Sequence, residues 1–293
     1  MSRFEQALGL WRYVCRHPAN RNDELAATGR LLRWQAQKHL LHRSMVVEVG
    51  DGRRFKIVPD SKFSSLVYYT CLPDWDEMNF LLRVLRPEDG FIDIGANVGF
   101  YTVLASRRLP PKSLWAIEAN PANVAVIKEQ IELNGLAEAT VFGCALGAQT
   151  GRLQFCSGAR ETGAVVAESG TGTIEVECRR LDDLLPFAIL PVDTIAKIDV
   201  EGYEVEVLYG ARDLLASGRI GSWLFELSAD NLRAQGRTVA EFLDAFRATG
   251  YDFYRWDEEG RELSPVDPVG GFSQNYIACC RGASWLKQRL HRQ

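Results

Sequence analysis

Phe91-Ile92-Asp93-Ile94-Gly95-Ala96-Asn97-Val98-Gly99-Phe100-Tyr101-Thr102 is the stretch that decides the fold of this chain. A short apolar strand over 91–94 runs straight into glycines and then into a helix predicted over 100–107. In an open α/β sheet, a nucleoside-bearing ligand sits at such a strand end, where backbone must come close to it. Gly95 and Gly99 are expected to remove side chains that would block the ligand's approach. Asp93, just before the turn, can organise loop amides or meet a cationic ligand group. The dinucleotide pattern GxGxxG is absent, because Asn97 stands where the second glycine would be. A pyrophosphate needs bare backbone amides at a helix N-terminus. S-adenosylmethionine has no phosphate, and an acid before the loop suits its positive methionine portion.

The neighbouring sequence extends this pattern. Leu114-Trp115-Ala116-Ile117-Glu118 reads as the next strand and ends in a carboxylate, 25 residues after Asp93. In Rossmann-like folds an acid at about that distance accepts hydrogen bonds from ribose hydroxyls. Further strands are predicted over 140–143, 194–199, 221–227, 251–256 and 275–280. Helices are predicted over 121–134, 203–215 and 239–249. Strands interleaved with helices mean a mostly parallel sheet, here with an antiparallel last strand. Residues 153–156 and 173–178 read as an antiparallel insertion around a Gly-rich loop, 157–172, that could border a substrate.

Upstream the pattern differs. Residues 1–43 read as one or two helices divided at His17-Pro18. A hairpin is predicted over 45–58 with Gly50-Asp51-Gly52 at its turn, then a short strand over 66–70 and a helix over 74–85. The expected divisions are a helical extension over 1–44, a catalytic domain over 45–280 (hairpin lead-in 45–73, core 74–280) and a basic tail over 281–293.

The chain has 293 residues and a formal net charge of −4, which argues against general nucleic-acid binding. Charge is uneven. Residues 1–44 carry eight Lys/Arg against Glu5, Asp23 and Glu24, and the last thirteen carry Arg281, Lys287, Arg289 and Arg292 and no acid. Such ends are expected to be solvated helix faces, with peripheral contact to a membrane surface as the alternative. Seven cysteines without a CxxC read as reduced thiols of a cytoplasmic protein, and no zinc site is expected. No secretory h-region precedes Trp11, and no apolar run approaches the ~18 residues of a membrane span.

DIGANVGFYT (93–102), AIEANP (116–121), CALG (144–147) and KIDVEGYE (197–204) together resemble the FkbM-type methyltransferases of class I, over about residues 74–280. The resemblance implies a Rossmann-like fold, S-adenosylmethionine as methyl donor, and a hydroxyl acceptor on a sugar, glycan or secondary metabolite. It makes Asp93, Gly95, Asn97 and Gly99 loop residues of the cofactor site and Glu118 the ribose ligand. It sets Cys144 and Ala145 beside the adenine, and Asp199 and Glu201 at the reaction end. Glu226 ends another strand on the same rim. Relatives often carry a histidine shortly after that acid, whereas Leu227-Ser228 follows here.

An alcohol acceptor must lose a proton, and a base within hydrogen-bond reach helps. The histidines (His17, His39, His42 and His291) all lie outside the sheet domain, so a carboxylate is expected as base. Asp199 ranks first, then Glu226, with Glu201 the third candidate. No metal is expected, although clustered carboxylates are able to hold a divalent ion. Glu201 is alternatively a helix cap, Lys197 a partner for an acid, Glu204 and Glu206 solvated helix positions, and Trp75-Asp76-Glu77 an exposed helix start. The N-terminal helices are expected to cover the cleft or form a homodimer. Two other functions stay open at this point: a nicotinamide-dependent oxidoreductase, and a scaffold that keeps the fold without the chemistry.

Overall fold

A computed structural model of the chain describes residues 3–156, 164–166, 172–191, 193–269, 274–280 and 284–290. Helices α1 (Arg3–Arg16) and α2 (Glu24–Ala36) open it, and a π-helical turn, Gln37–Leu41, extends α2. They part where the sequence predicts: His17 is extended and Pro18 starts a single 3-10 turn. Strands β1 (Met45–Glu48) and β2 (Arg54–Ile57) pair as an antiparallel hairpin. Gly50, Asp51 and Gly52 all take positive φ at its turn.

The strand predicted over 66–70 is instead part of helix α3 (Lys62–Thr70). Val67, Tyr68, Tyr69 and Thr70 are strong strand formers, but tertiary contacts override that preference. Ser61 caps the helix, its hydroxyl accepting from Ser64 N at 2.9 Å. The Trp34 indole on α2 donates to the Ser65 hydroxyl at 2.9 Å, and Gln35 donates to the Tyr69 hydroxyl at 2.8 Å. Helix α4 (Trp75–Val84) follows, as expected.

The alternating region then runs β3 (Gly90–Ile94), α5 (Phe100–Ala105), β4 (Leu114–Ile117), α6 (Pro121–Leu133) and β5 (Thr140–Phe142). The insertion holds β6 (Ala145–Leu146), β7 (Gly151–Cys156), β8 (Ala164–Val166) and β9 (Thr173–Arg179) in a separate sheet ordered β6-β9-β7-β8. β8 lies inside the stretch predicted to be a loop over 157–172, and the rest of that stretch up to 171 is outside the described residues. After α7 (Leu181–Leu184) come β10 (Thr194–Ile198), α8 (Glu204–Tyr209) and α9 (Arg212–Ser217). The single helix predicted over 203–215 breaks at Gly210, where a Cβ would lie 2.1 Å from the Gly147 carbonyl oxygen. Then follow β11 (Ile220–Leu227), α10 (Ala229–Ala234), α11 (Val239–Arg247), β12 (Tyr251–Asp257), β13 (Glu262–Pro265), β14 (Gln274–Cys280) and α12 (Ser284–Leu290).

The main sheet is ordered β13-β12-β14-β11-β10-β3-β4-β5. β11, β10, β3, β4 and β5 are parallel, and β14 is antiparallel between β11 and β12. The chain winds outward from β3 to β5, then returns to start again at β10 beside β3. Ligands bind at such a switch point, beyond the strands' carboxyl ends. The strand period of two sorts the core into layers. Phe91 and Ile195 face a cluster containing Trp34, Phe55 and Tyr69, whereas Ile92, Ile94, Ala196 and Ile198 face one containing Trp223, Phe242 and Phe246. The N-terminal helices therefore share a core with the hairpin and α3. In the basic tail, Arg289 of α12 pairs with Asp89 at 2.5 Å and Asp193 at 3.0 Å.

Candidate functional site

β3 and β10 run in register, with Lys197 opposite Asp93 and Ile198 opposite Ile94. Just past their ends the two chains nearly touch. Gly95 has φ +74°, and a Cβ on it would lie 1.9 Å from the Asp199 carbonyl oxygen. Gly99 has φ +80°, and a Cβ there would meet Ile127 Cγ1 at 3.2 Å. Both glycines were expected to clear room for a ligand. Both admit neighbouring protein, the end of β10 in one case and α6 in the other, and so let the loop form, and Gly95 also lines the first cleft described below.

Asp93 lines neither cleft at this edge. It is fully buried, accepts from the Thr102 hydroxyl at 2.7 Å, and leaves its Oδ1 without a hydrogen bond. Burial pushes its pKa up, and Lys197 and Thr102 pull it down. Asp93 thus ties α5 to the strand behind the loop.

The loop's other polar residues face a first cleft of about 700 Å³. Asn97, at φ +52°, donates its backbone N–H to Glu118 Oε2 at 2.8 Å. Asn120 N donates to the other Glu118 oxygen at 2.8 Å. Burial pushes the Glu118 pKa up to about 7, against the downward pull of these amides. The Asn97 Oδ1 is buried and makes no hydrogen bond. Across from these polar groups, Cys144, Ala145, Leu146, Phe155 and Val165 make an apolar wall. Burial raises the Cys144 thiol to about 12, so it acts as an apolar group there. Phe155 and Val165 come from the insertion; Val165 lies in the stretch 157–172 expected to border a ligand, whereas nothing in the sequence marks Phe155 as a cleft residue.

A second cleft, of about 900 Å³, opens beside the first and shares Asn97, Asp199 and Glu201 with it. Distant parts of the chain build it: Lys62, Phe63 and Leu66 from α3, Asp74 and Glu77 from the start of α4, Tyr101, Lys197, Glu226 and Asn275. Lys197 donates to Asp199 at 2.9 Å and lies 4.7 Å from the Tyr101 ring centre. Burial pushes the Lys197 pKa down, but Asp199, Asp93 and Asp74 together outweigh it and the pKa ends up raised. Tyr101 donates to Asp74 at 2.8 Å. Asp74 is raised by burial, against that hydrogen bond.

The remaining acids crowd one another. Glu226 is exposed to the cleft, yet burial of its surroundings and then Asp199 and Glu201 push it up to about 7. Glu77 reaches about 7 through burial, then Asp74 and Asp76. Glu201 accepts from the Asn231 amide at 2.9 Å and is raised by burial and by Asp199. Glu201 does not cap the following helix. The helix has no side-chain cap, and Glu204 at its first position instead ties down the preceding turn, its carboxylate accepting from Gly202 N at 3.1 Å and Val200 N at 3.3 Å. Glu204 was expected in solvent and is buried, and Glu206 pairs with Arg237.

Around Trp75-Asp76-Glu77 only Glu77 reaches the cleft. Trp75 stands edge-on to the His17 ring, and Asp76 accepts from Glu258 N at 3.0 Å. His17, His39 and His42 line neither cleft, and His291 is outside the described residues. Among the described residues, no three histidine, cysteine or carboxylate side chains converge to hold a metal ion.

Residues 93–253, from the end of β3 into β12, match the methyltransferase FkbM domain. The chain belongs to the FkbM methyltransferase domain family. S-adenosylmethionine is the cofactor that goes with this family, and the first cleft suits it, with an orphaned Asn97 oxygen and Glu118 opposite an apolar wall. Methyltransferase 1 of Beauveria bassiana is 27% identical over 150 residues, 43% of this chain and 60% of that protein. The hexuronic acid methyltransferase AglP of Haloferax volcanii is 26% identical over 144 residues, 48% of this chain and 58% of its own. This FkbM chain therefore spans about 60% of the length of the curated relatives it matches. Among solved structures, M. jannaschii TYW2 in complex with AdoMet superposes with a TM-score of 0.40 at 13% identity, covering 80% of this chain and 84% of that one. No helix among the described residues is long and apolar enough to cross a membrane.

Proposed function

We propose that the chain methylates a hydroxyl group of a sugar, glycan or secondary metabolite, with S-adenosylmethionine in the first cleft and the acceptor in the second. The observation that carries this reading is the junction: Asn97, Asp199 and Glu201 line both clefts. When bound, the cofactor supplies a methyl group already activated on a sulfonium. The protein's work is then to orient the partners, exclude water and take one proton. Glu118 and Asn97 hold the nucleoside end, and the wall at Leu146 and Phe155 takes the base.

Of the expected bases, Glu226 suits the task better than Asp199. Lys197 already occupies an Asp199 oxygen, so we assign Asp199 to positioning at the junction. Glu226 lines the second cleft, is exposed there and has a pKa raised to about 7, near where a general base works best. The acid lining also bears on the acceptor. Five carboxylates and two lysines line the second cleft, and Lys197 is already matched by Asp199. A carboxylated sugar, such as the hexuronic acid in the name of the Haloferax relative, would add like charge to that crowd. A neutral or amine-bearing hydroxyl acceptor fits better.

Seven free cysteines fit a reducing compartment, the cytoplasm. Calorimetry with S-adenosylhomocysteine tests the cofactor half. Methyl transfer to matched neutral, amino and carboxylated sugars tests the acceptor half. Saturable NADH binding without S-adenosylhomocysteine binding would overturn the reading in favour of an oxidoreductase. Cofactor binding with no turnover on any hydroxyl acceptor would favour the scaffold.

A further inference from the structure

Helix α2 buries Ala27, Leu31 and Trp34 against the core. At 3.6 residues per turn its opposite face carries Leu25, Gly29, Leu32 and Ala36, all exposed. A surface helix normally keeps polar residues there. Here Leu25 is 89% exposed and Leu32 62%. The π-helical turn that extends the helix adds Leu40 at 79% and Leu41 at 60%. Trp11 of α1 lies alongside and donates its indole N–H to Thr28 at 3.1 Å. This apolar ridge faces away from the core and from both clefts.

The charge around the ridge identifies what covers it. Arg12 and Arg16 on α1, Arg33 on α2 and Arg43 beyond the π turn are exposed, four cations against the exposed Asp23 and Glu24 at the start of α2. None of the four has a carboxylate partner among the described residues. A second copy docking ridge to ridge would bring these cations against their own kind. An apolar helix face with leucines and a tryptophan, bordered by arginines, is the make-up of an interfacial helix on anionic lipid.

We propose that the outer face of α2 and the π turn is a peripheral docking surface for an anionic membrane, with Leu25, Leu32, Leu40 and Leu41 entering the acyl boundary and the arginines meeting lipid phosphates. This surface is independent of the methyl-transfer chemistry. The test is co-sedimentation of the full chain with vesicles of phosphatidylcholine alone and of phosphatidylcholine with phosphatidylglycerol. Binding should be about tenfold stronger to the anionic vesicles and should weaken as salt is raised. Leu32→Glu/Leu40→Glu should lower binding by about tenfold or more, as should Arg12→Ser/Arg16→Ser. All four positions are exposed, so circular dichroism and S-adenosylhomocysteine affinity should match those of the parent. Absence of binding to anionic vesicles, or binding indifferent to both double variants, would overturn the proposal. So would a dimer in analytical ultracentrifugation that Leu32→Glu/Leu40→Glu dissolves, because the ridge would then be covered by a second copy.

Discussion

Gly95→Ala would impose two separate costs on the loop after β3. The first is conformational: at φ +74° any L side chain is strained, by roughly 1–2 kcal/mol. The second is steric. The new methyl would sit 1.9 Å from the Asp199 carbonyl oxygen, more than an ångström inside the roughly 3.3 Å of even a close C···O contact. The obstacle is backbone, so β10 must move or the loop must open. Such forced shifts cost about 1–3 kcal/mol more. Gly250→Ala is the control, because φ is +79° there and nothing lies within 4 Å of the added Cβ. Urea denaturation should therefore show Gly250→Ala down by about 1–2 kcal/mol and Gly95→Ala down by about 2–5 kcal/mol. Calorimetry should show S-adenosylhomocysteine affinity unchanged in the control and at least about tenfold weaker in Gly95→Ala, a loss of roughly 1.4 kcal/mol. Equal destabilisation by the two variants, with cofactor affinity intact in both, would refute the view that Gly95 exists to admit β10.

Three further outcomes follow from the charges. Glu226→Gln should lower kcat by about 10²–10⁴ with S-adenosylhomocysteine affinity unchanged. It should also abolish the rise in rate that the parent shows as pH passes through about 7 and Glu226 loses its proton; a retained rise would assign the base elsewhere. Folding raises the Glu204 pKa from 4.5 to about 7, so the protonated form is favoured in the native state, and that stabilisation is lost as pH climbs from 4.5 through 7. Glu204→Gln keeps an acceptor for Gly202 N and Val200 N without the titration. Thermal melts should show it level with the parent near pH 4 and more stable by up to about 3 kcal/mol at about pH 8. Lys197→Met takes the cation from buried Asp93 and from Asp199, and chemical denaturation should register a loss of about 3–5 kcal/mol.

Much of the first cleft was legible because it is local. Strand β3, its loop and α5 are consecutive, and Glu118 closes the next strand in chain order. Apolar period, glycine and a terminal acid are signals carried by neighbours in sequence. α3 was misread for a related reason. Val67 to Thr70 look like a strand taken alone, and only the Ser61 cap and the contacts with Trp34 and Gln35 make them helical.

By itself, then, the sequence determined an α/β sheet with a phosphate-free nucleoside loop at β3, since strand order and loop chemistry are written in linear spacing. Tertiary structure alone decided the second cleft. The second cleft draws Lys62 from α3, Glu77 from α4, Glu226 from β11 and Asn275 from β14, and no spacing rule joins them. It also decided which carboxylate is paired. Lys197 lies two residues from Asp199 and across the sheet from Asp93, and that second neighbour exists only once β10 has docked beside β3. The same docking gave Gly95 its purpose, because its obstacle is the backbone of a strand 104 residues further along the chain.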